Sequence, residues 1–288
     1  MKRVLAFLLT FVLSLSLAQF PRSFTDDQGR TITLQKPPQR IVTMLPSATE
    51  TICSLSEEAC KRIVATDQFS NWPERVKSLP KAGGLINPNP ELIVSLKPDL
   101  VIVNSPRIVE TLERAGIPVY ITRPQTFADI ARTARAYGEL LGLRAEAERL
   151  IARIQAEVFA LESRAAKAKE RPSVYYEIDP TPYTAGPGSF IGTLIEKARG
   201  RNIIPAELGN FPKISPELVV QQKPQVIVAT HPEVAAIRNR PGWSALPAVQ
   251  QNRICAFSGE ATDLLSRPGP RVAQGLRLLI GCFHPELR

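Results

Sequence analysis

The sequence predicts an α/β protein with two similar lobes joined by one long helix. Residues 89–94 (NPELIV) and 215–220 (SPELVV) read as copies of one unit, and each copy continues through Lys-Pro into an apolar strand. Between the copies, residues 127–170 are dense in Ala, Leu, Arg and Glu, with apolar residues at helical spacing. Strand-like and helix-like runs alternate on both sides of this stretch, so each half should build its own parallel sheet.

Each copy of the repeated unit predicts a short helix that leads into a buried strand. Asn89 and Ser215 are residue types that cap helix starts, and Pro followed by Glu suits a first turn. A Lys-Pro pair ends each helix, and a β-branched apolar run of the kind buried in parallel sheets follows, at residues 100–103 and 226–229. Glu91 and Glu217 should therefore occupy equivalent positions, where each either stabilises its own helix start or shares a paired role.

The remaining runs complete the two lobes. In the first half Ser47 is the expected cap of a helix that includes residues 51–55, and the expected strands are residues 40–44, 63–66 and 119–121. In the second half the expected strands and helices are residues 174–178, 190–198, 253–257 and 269–282. The predicted divisions are a first lobe at 19–143, a spine helix at 144–171 ended by Pro172, and a second lobe at 172–288.

The N-terminus has the three regions of a secretory signal peptide. Lys2 and Arg3 precede an apolar run, and small residues follow it, so we expect cleavage after Ala18 and export of the mature chain. The run is short for a membrane span, which needs about 20 residues, but an uncleaved anchor stays open.

The composition is that of a globular protein, with 44% hydrophobic and 22% charged residues in 288, enough for two domains. The formal charge is +9, yet the arginines are scattered over polar helix faces, which argues against nucleic-acid binding. A solvated basic surface is the plain interpretation, and attraction to an anionic membrane or an acidic ligand stays open.

The four cysteines fall into two local groups, and export would place them in an oxidising compartment. Of the three connectivities we favour the one in which each pair links neighbouring elements of one lobe, Cys53 with Cys60 and Cys255 with Cys282. Neither spacing resembles a zinc site. Of the two histidines, His231 could reach the ligand side and coordinate a metal centre, although packing is the favoured role.

Motifs for catalysis are missing from the sequence. It contains no Gly-x-Ser-x-Gly elbow and no glycine-rich phosphate loop, and the Ser78/Lys81 spacing includes a proline that disfavours a helix. We therefore predict binding without turnover, with no catalytic residue. A secreted α/β hydrolase is the alternative from another class, because this architecture hosts many chemistries.

Nearly the whole mature chain resembles the helical-backbone class of substrate-binding proteins that serve ABC importers. The resemblance rests on the repeated units, the long helix and residues 267–271 (RPGPR). Residues 47–50 (SATE), 71–73 (NWP) and 182–186 (PYTAG) are most similar to cobalamin-binding proteins, with siderophore and haem binders as alternatives. The resemblance implies two Rossmann-like lobes with a ligand cleft between them, a monomer, and no cofactor, cobalamin being the transported ligand.

Ligands of open α/β sheets bind at the loops that follow the strands, and these loops supply the ligand-contact candidates. Aromatic rings offer contact area, arginine and aspartate offer polar contacts, and glycine lets a backbone approach. Each candidate also has a structural explanation, as a surface cap, core packing, a tight turn or an ion pair. The candidates are Trp72, Tyr183, Phe69, Phe190, Gly186, Asp263, Arg267 and Arg271.

The resemblance also gives the repeat a reason. It implies that Glu91 and Glu217 dock onto arginines of the two subunits of an ABC permease dimer, one glutamate from each lobe. Exposed ion pairs contribute only about 0 to 1 kcal/mol each, so they would mainly set orientation and encounter rate. The continuous helix between the lobes should keep closure on ligand binding small.

Overall fold

The computed structural model describes residues 20–287, so the predicted signal peptide, residues 1–18, lies outside the described residues. The described chain opens with an antiparallel hairpin of β1 (Arg22–Thr25) and β2 (Thr31–Leu34). No strand was predicted before residue 40, so this hairpin was missed. Alternate residues of β2, Ile32 and Leu34, point into the core, and this two-residue period is too short to stand out in the sequence.

The first lobe contains a four-stranded sheet in the order β4-β3-β5-β6, with all neighbours parallel. Its predicted strands are confirmed to within a residue or two. The elements are β3 (Ile41–Thr43), α1 (Pro46–Leu55), α2 (Glu57–Lys61), β4 (Ile63–Thr66), α3 (Pro90–Ser95), β5 (Leu100–Val103), α4 (Val109–Arg114), β6 (Val119–Ile121) and α5 (Asp129–Leu141).

The second lobe repeats this arrangement in the order β11-β10-β7, with β9 parallel to the start of β7 and β8 antiparallel to its end. In both sheets the strand after the repeated helix pairs with the first strand of that sheet, β5 with β3 and β10 with β7. The elements are β7 (Ser173–Asp179), β8 (Tyr183–Thr184), α7 (Phe190–Lys197), β9 (Arg201–Asn202), α8 (Pro216–Gln222), β10 (Val226–Ala229), α9 (Pro247–Gln250), β11 (Ile254–Ala256), α10 (Glu260–Ser266) and α11 (Val272–Phe283).

The helices of the repeated unit, α3 and α8, match in their chemistry. Asn89 accepts a hydrogen bond from the amide of Leu92 at 2.9 Å, and Ser215 accepts one from Leu218 at 3.4 Å, as expected for caps. At the other end, Lys97 and Lys223 both adopt left-handed backbone conformations with φ of 48° and 47°. The repeat thus extends to an unusual backbone turn.

The expected cap at Ser47 was wrong. Helix α1 begins at Pro46, because proline fits the first helical turn. The cap position is therefore Leu45, two residues before Ser47. Ser47 lies buried inside that turn, and its carbonyl accepts a hydrogen bond from the Thr51 hydroxyl.

The helix-rich stretch predicted at residues 127–170 consists of α5, which belongs to the first lobe, and α6 (Arg144–Ala165), which joins the lobes. Gly142, with φ of 71°, ends α5 in the left-handed conformation that glycine tolerates best. Helix α6 ends at Ala165 and not at Pro172 as expected, because the chain turns after Ala166 to reach the start of β7. The proposed domain boundaries stay a prediction.

One large apolar core runs through both lobes. It includes Ile52 and Tyr137 from the first lobe, Ile154 from α6, and Leu276 and Phe283 from the second. Each sheet also carries a smaller core of its own on its other face. Because α6 packs its buried residues into the shared core, the two lobes are held together by continuous apolar packing as well as by the chain.

Both predicted disulfides are present. Cys53–Cys60 joins α1 to α2, and Cys255–Cys282 joins β11 to α11, so each stays within one lobe. Each pair links a helix to the element beside it in the same lobe, as the local grouping of the cysteines predicted.

Candidate functional site

The candidate site lies where loops from the carboxyl ends of the two sheets meet across the lobe boundary. The Asn71 side chain, in a loop after β4, donates a hydrogen bond to Asp263 of α10 at 2.8 Å. Arg267, directly after α10, donates to the Asn71 side chain at 2.8 Å and to the Phe69 carbonyl at 3.1 Å. Three of the predicted ligand residues, Phe69, Asp263 and Arg267, are therefore brought together in one cluster.

Glu50 of α1 is the buried centre of this cluster, with 2% of its surface exposed. Its carboxylate accepts hydrogen bonds from Arg267 at 2.7 Å and from Arg271 at 2.7 and 3.0 Å. Burial works against the charge of Arg271, but the bonds and attraction of Glu50 prevail and raise its pKa. We call Glu50, Asn71, Trp72, Asp263, Arg267 and Arg271 the Glu50 cluster.

The Arg271 guanidinium also lies over the ring of Trp72, 4.9 Å from its centre, a cation–π geometry. Arg271 therefore forms an ion pair, which was one of the structural explanations considered for the candidate residues. Contact of Trp72, Arg267 or Arg271 with a ligand stays a prediction.

The loop that carries Phe69 and Trp72 is fixed by a buried carboxylate that the sequence did not single out. Asp67 accepts bonds from the amides of Phe69 and Ser70 at 2.7 and 3.1 Å. Burial raises the pKa of Asp67, although the hydrogen bonds and Lys81 oppose that rise. The Lys81 ammonium group also holds this loop, because it donates a hydrogen bond to the Ser70 carbonyl at 2.8 Å.

Large apolar side chains are exposed in both lobes. Phe69 is 57% exposed and Tyr183 is 45% exposed, as ligand contacts in a cleft would be. Sequence reasoning missed further exposed residues that lie a few positions before the repeated helices α3 and α8, namely Leu85, Ile86, Leu208 and Phe211. The detectable signal was an apolar residue shortly before the capping residue of each repeat.

Two predicted ligand residues have clear packing roles. Phe190 is buried at the start of α7 within the large core. A side chain at Gly186 would place its Cβ 1.9 Å from the Gly209 carbonyl oxygen, so close backbone approach explains this glycine. Their contact with a ligand stays a prediction.

His231 is occupied by a second buried carboxylate. Its Nε2 lies 2.6 Å from Glu177, which also accepts two bonds from Arg240. The Nδ1 atom of His231 accepts a hydrogen bond from the amide of Glu233 at 3.1 Å. The Nε2 atom of the same ring therefore carries the proton that is donated to Glu177. Both ring nitrogens are engaged, in agreement with the packing role favoured for this residue. Within residues 20–287 no cluster of three or more His, Cys, Asp or Glu is arranged to hold a metal ion.

The two repeated glutamates stand apart from these networks. Glu91 and Glu217 lie exposed in the first turns of α3 and α8, and neither has an ion pair within the part of the chain that the structure describes. They are thus available to a partner, but a docking role stays a prediction.

No helix between residues 20 and 287 combines the length and apolar character needed to cross a membrane. Several relatives match most of the chain, among them the following two. An uncharacterised ABC transporter substrate-binding lipoprotein of Bacillus subtilis is 28% identical, covering 93% of this chain and 87% of the relative. A cobalamin-binding protein of Halobacterium salinarum is 33% identical, covering 92% of this chain and 74% of the relative.

Among solved structures, the periplasmic heme-binding protein RhuT from Roseiflexus sp. RS-1 is similar, with a TM-score of 0.75 and 28% identity. The similarity covers 87% of this chain and 99% of that one. The model of the family described as periplasmic binding protein matches residues 41–260. The two-lobed fold, the sequence relatives and this match agree: the chain belongs to the periplasmic binding protein family.

Proposed function

We propose that this protein captures cobalamin or a related corrinoid between its lobes and delivers it to an ABC importer. The observation that carries the proposal is that both lobes expose aromatic side chains where their sheet strands end, Phe69 next to the Glu50 cluster and Tyr183 paired with Asp179 at the end of β7. Large flat rings bury much area at little entropic cost, which suits a broad macrocycle. The polar cluster beside them offers hydrogen-bonding groups to a polar periphery.

The choice of a corrinoid is supported by the relative named as a cobalamin-binding protein, whose 33% identity extends over 92% of the chain. Haem is the second candidate, supported by the exposed phenol of Tyr183, an oxygen donor suited to ferric iron, and by the heme-binding neighbour. A ferric siderophore is the remaining alternative of the same class. Family membership supports binding and transport over a secreted hydrolase.

Delivery would use the exposed faces of both lobes. Glu91 and Glu217 are exposed acids at equivalent helix starts, which suits docking on the two subunits of a permease dimer by a monomeric binding protein. Two separated charge contacts would fix orientation better than one.

Three features of the chain and its relatives support export. The predicted signal peptide, two disulfides and relatives described as periplasmic or lipoproteins all support work outside the cytoplasm.

The direct test is calorimetric titration of the purified mature protein with cyanocobalamin, with haemin and a ferric siderophore as parallel titrants. The proposal predicts saturable one-to-one binding of cyanocobalamin and weak or no binding of the iron ligands. Tight binding of an iron ligand with none of cyanocobalamin would overturn the corrinoid assignment and leave the importer role in place.

A further inference from the structure

We infer that Glu50 is a positioning residue for ligand binding, which holds the two walls of the cleft in register across the lobe boundary. This inference rests on the proposed function for its ligand readout. Glu50 belongs to α1 of the first lobe, whereas its partners Arg267 and Arg271 belong to the second. All three side chains are nearly buried, with 2%, 11% and 6% exposed, so water screens their attraction little.

The two arginines in turn hold an aromatic wall of the first lobe. Arg267 donates to the Phe69 carbonyl, and Arg271 lies over the ring of Trp72. One carboxylate of the first lobe thus orients two arginines of the second lobe. Those arginines in turn contact the first-lobe loop that carries Phe69 and Trp72, two of the predicted ligand contacts.

The other acids that pair with these arginines cannot replace Glu50 in this role, although Asp263 also accepts a hydrogen bond from Asn71 of the first lobe. Arg271 also pairs with Glu260 at 2.8 Å, and Arg267 with Asp263 at 2.7 Å, but both acids lie on α10 of the same lobe as the arginines. These pairs stabilise the second lobe internally and do not fix the distance between lobes. If Glu50 loses its charge, both arginines keep an acid of their own lobe, and the charge that draws them to the first lobe is gone.

The chain offers a matched control. Glu260 binds the same guanidinium as Glu50, but its side chain is 70% exposed and it bridges nothing across the lobes. Glu50→Gln and Glu260→Gln therefore remove one charge each from the same arginine, and only the first removes an interlobe contact.

A fluorescence readout needs no ligand. The sequence has two tryptophans, Trp72 and Trp243, and Trp243 is fully buried. Acrylamide quenching therefore reports mainly on Trp72 and its cover by Arg271. We expect Glu50→Gln to increase quenching and Glu260→Gln to leave it near the parent value.

The second readout is affinity for cyanocobalamin in the same variants. We expect Glu50→Gln to weaken binding by about tenfold or more, mostly through faster dissociation, and Glu260→Gln to change it less than about twofold. Glu50→Asp, which keeps the charge but draws it back by one methylene, should fall between them. If near-ultraviolet circular dichroism shows that Glu50→Gln does not fold, Glu50→Asp replaces it in both measurements.

The inference is overturned if the folded Glu50 variants show parent-like quenching and affinity, even where their melting temperatures fall. It is also overturned if Glu260→Gln has the same effects as Glu50→Gln. A parent protein that binds no cyanocobalamin refutes the proposed ligand, and quenching then decides the role of Glu50 by itself.

Discussion

At the residue scale, two buried carboxylates organise the edge where the ligand candidates lie. Glu50 is bound by Arg267 and Arg271, and Glu177 at the end of β7 is bound by Arg240 and His231. A buried charge is costly unless it is paired and hydrogen-bonded, so each group depends on its partners. Each carboxylate thereby fixes the positions of the arginine or histidine side chains bound to it.

We predict that Glu177→Gln destabilises the protein by about 3 kcal/mol, because it leaves the Arg240 guanidinium without its buried counter-charge. Urea unfolding measures the change. Glu157→Gln, on the exposed face of α6, is the control and should stay within about 0.5 kcal/mol of the parent. Equal stability of the two variants would refute the role of Glu177.

We predict that Phe211→Ala and Tyr183→Ala each weaken cyanocobalamin binding by about tenfold, because each removes an exposed aromatic ring from the segments that pair at the end of β7. Calorimetric titration measures the affinity. Phe159→Ala is the matched control, since Phe159 is an aromatic residue, 71% exposed, on α6 away from the site. A similar loss in the control variant would count against a cleft location.

Local chemistry at this scale was predictable from the sequence, and distant pairing was not. The caps at Asn89 and Ser215 depend on residues three positions away. Glu50 and Arg267 are 217 positions apart, and nothing local shows that the fold joins them. Phe211 looked like any loop residue because exposure is a property of the folded surface.

At the element scale, α3 and α8 present the same charge at the same position of equivalent lobes. We predict that Glu91→Gln and Glu217→Gln lower ligand uptake through the cognate importer and leave cyanocobalamin affinity unchanged, since both side chains are exposed. Reconstituted transport and calorimetry measure the two effects. Glu157→Gln should be neutral in both assays, and parent-like transport by the double variant would refute docking through this pair.

We predict that the stability of the fold depends on pH through His284, at the end of α11. The His284 side chain donates a hydrogen bond to the Ala198 carbonyl at 3.0 Å. Burial lowers the pKa of His284 from its ordinary 6.5. The unfolded chain therefore takes up this proton first, and stability is lost as pH falls below about 6.5. Urea unfolding at pH 7.5 and 5.5 should show a smaller loss for His284→Gln than for the parent, and equal losses would contradict the prediction.

Element prediction succeeded where a strong pattern met a clear end signal. The β-branched runs of β5 and β10 lie between Lys-Pro turns and polar loops, and their observed bounds match the expected ones. Hairpin β1-β2 was missed because each strand has four residues and half of them face solvent. The end of α6 was misplaced because its helix-forming composition continues past Ala165, while the start of β7 requires a turn.

At the scale of the whole molecule, α6 and the shared core restrict how the lobes can move. A wide hinge would expose residues such as Ile154 and Leu276, which belong to one continuous apolar cluster. We predict that cyanocobalamin changes the lobe arrangement by no more than about 1 Å in Cα positions. Spin-label distances between the lobes, with and without ligand, test this, and a shift well beyond 2 Å would contradict it.

The two-lobed plan was predictable from the repeat and the long helix, whereas the shape of the cleft depends on how loops from both sheets meet. The most direct test of the account is therefore a crystal structure of the protein with cyanocobalamin. The account predicts one ligand between Phe69 and Trp72 of the first lobe and Tyr183 and Phe211 of the second. A ligand bound elsewhere, or contacting one lobe alone, would contradict it.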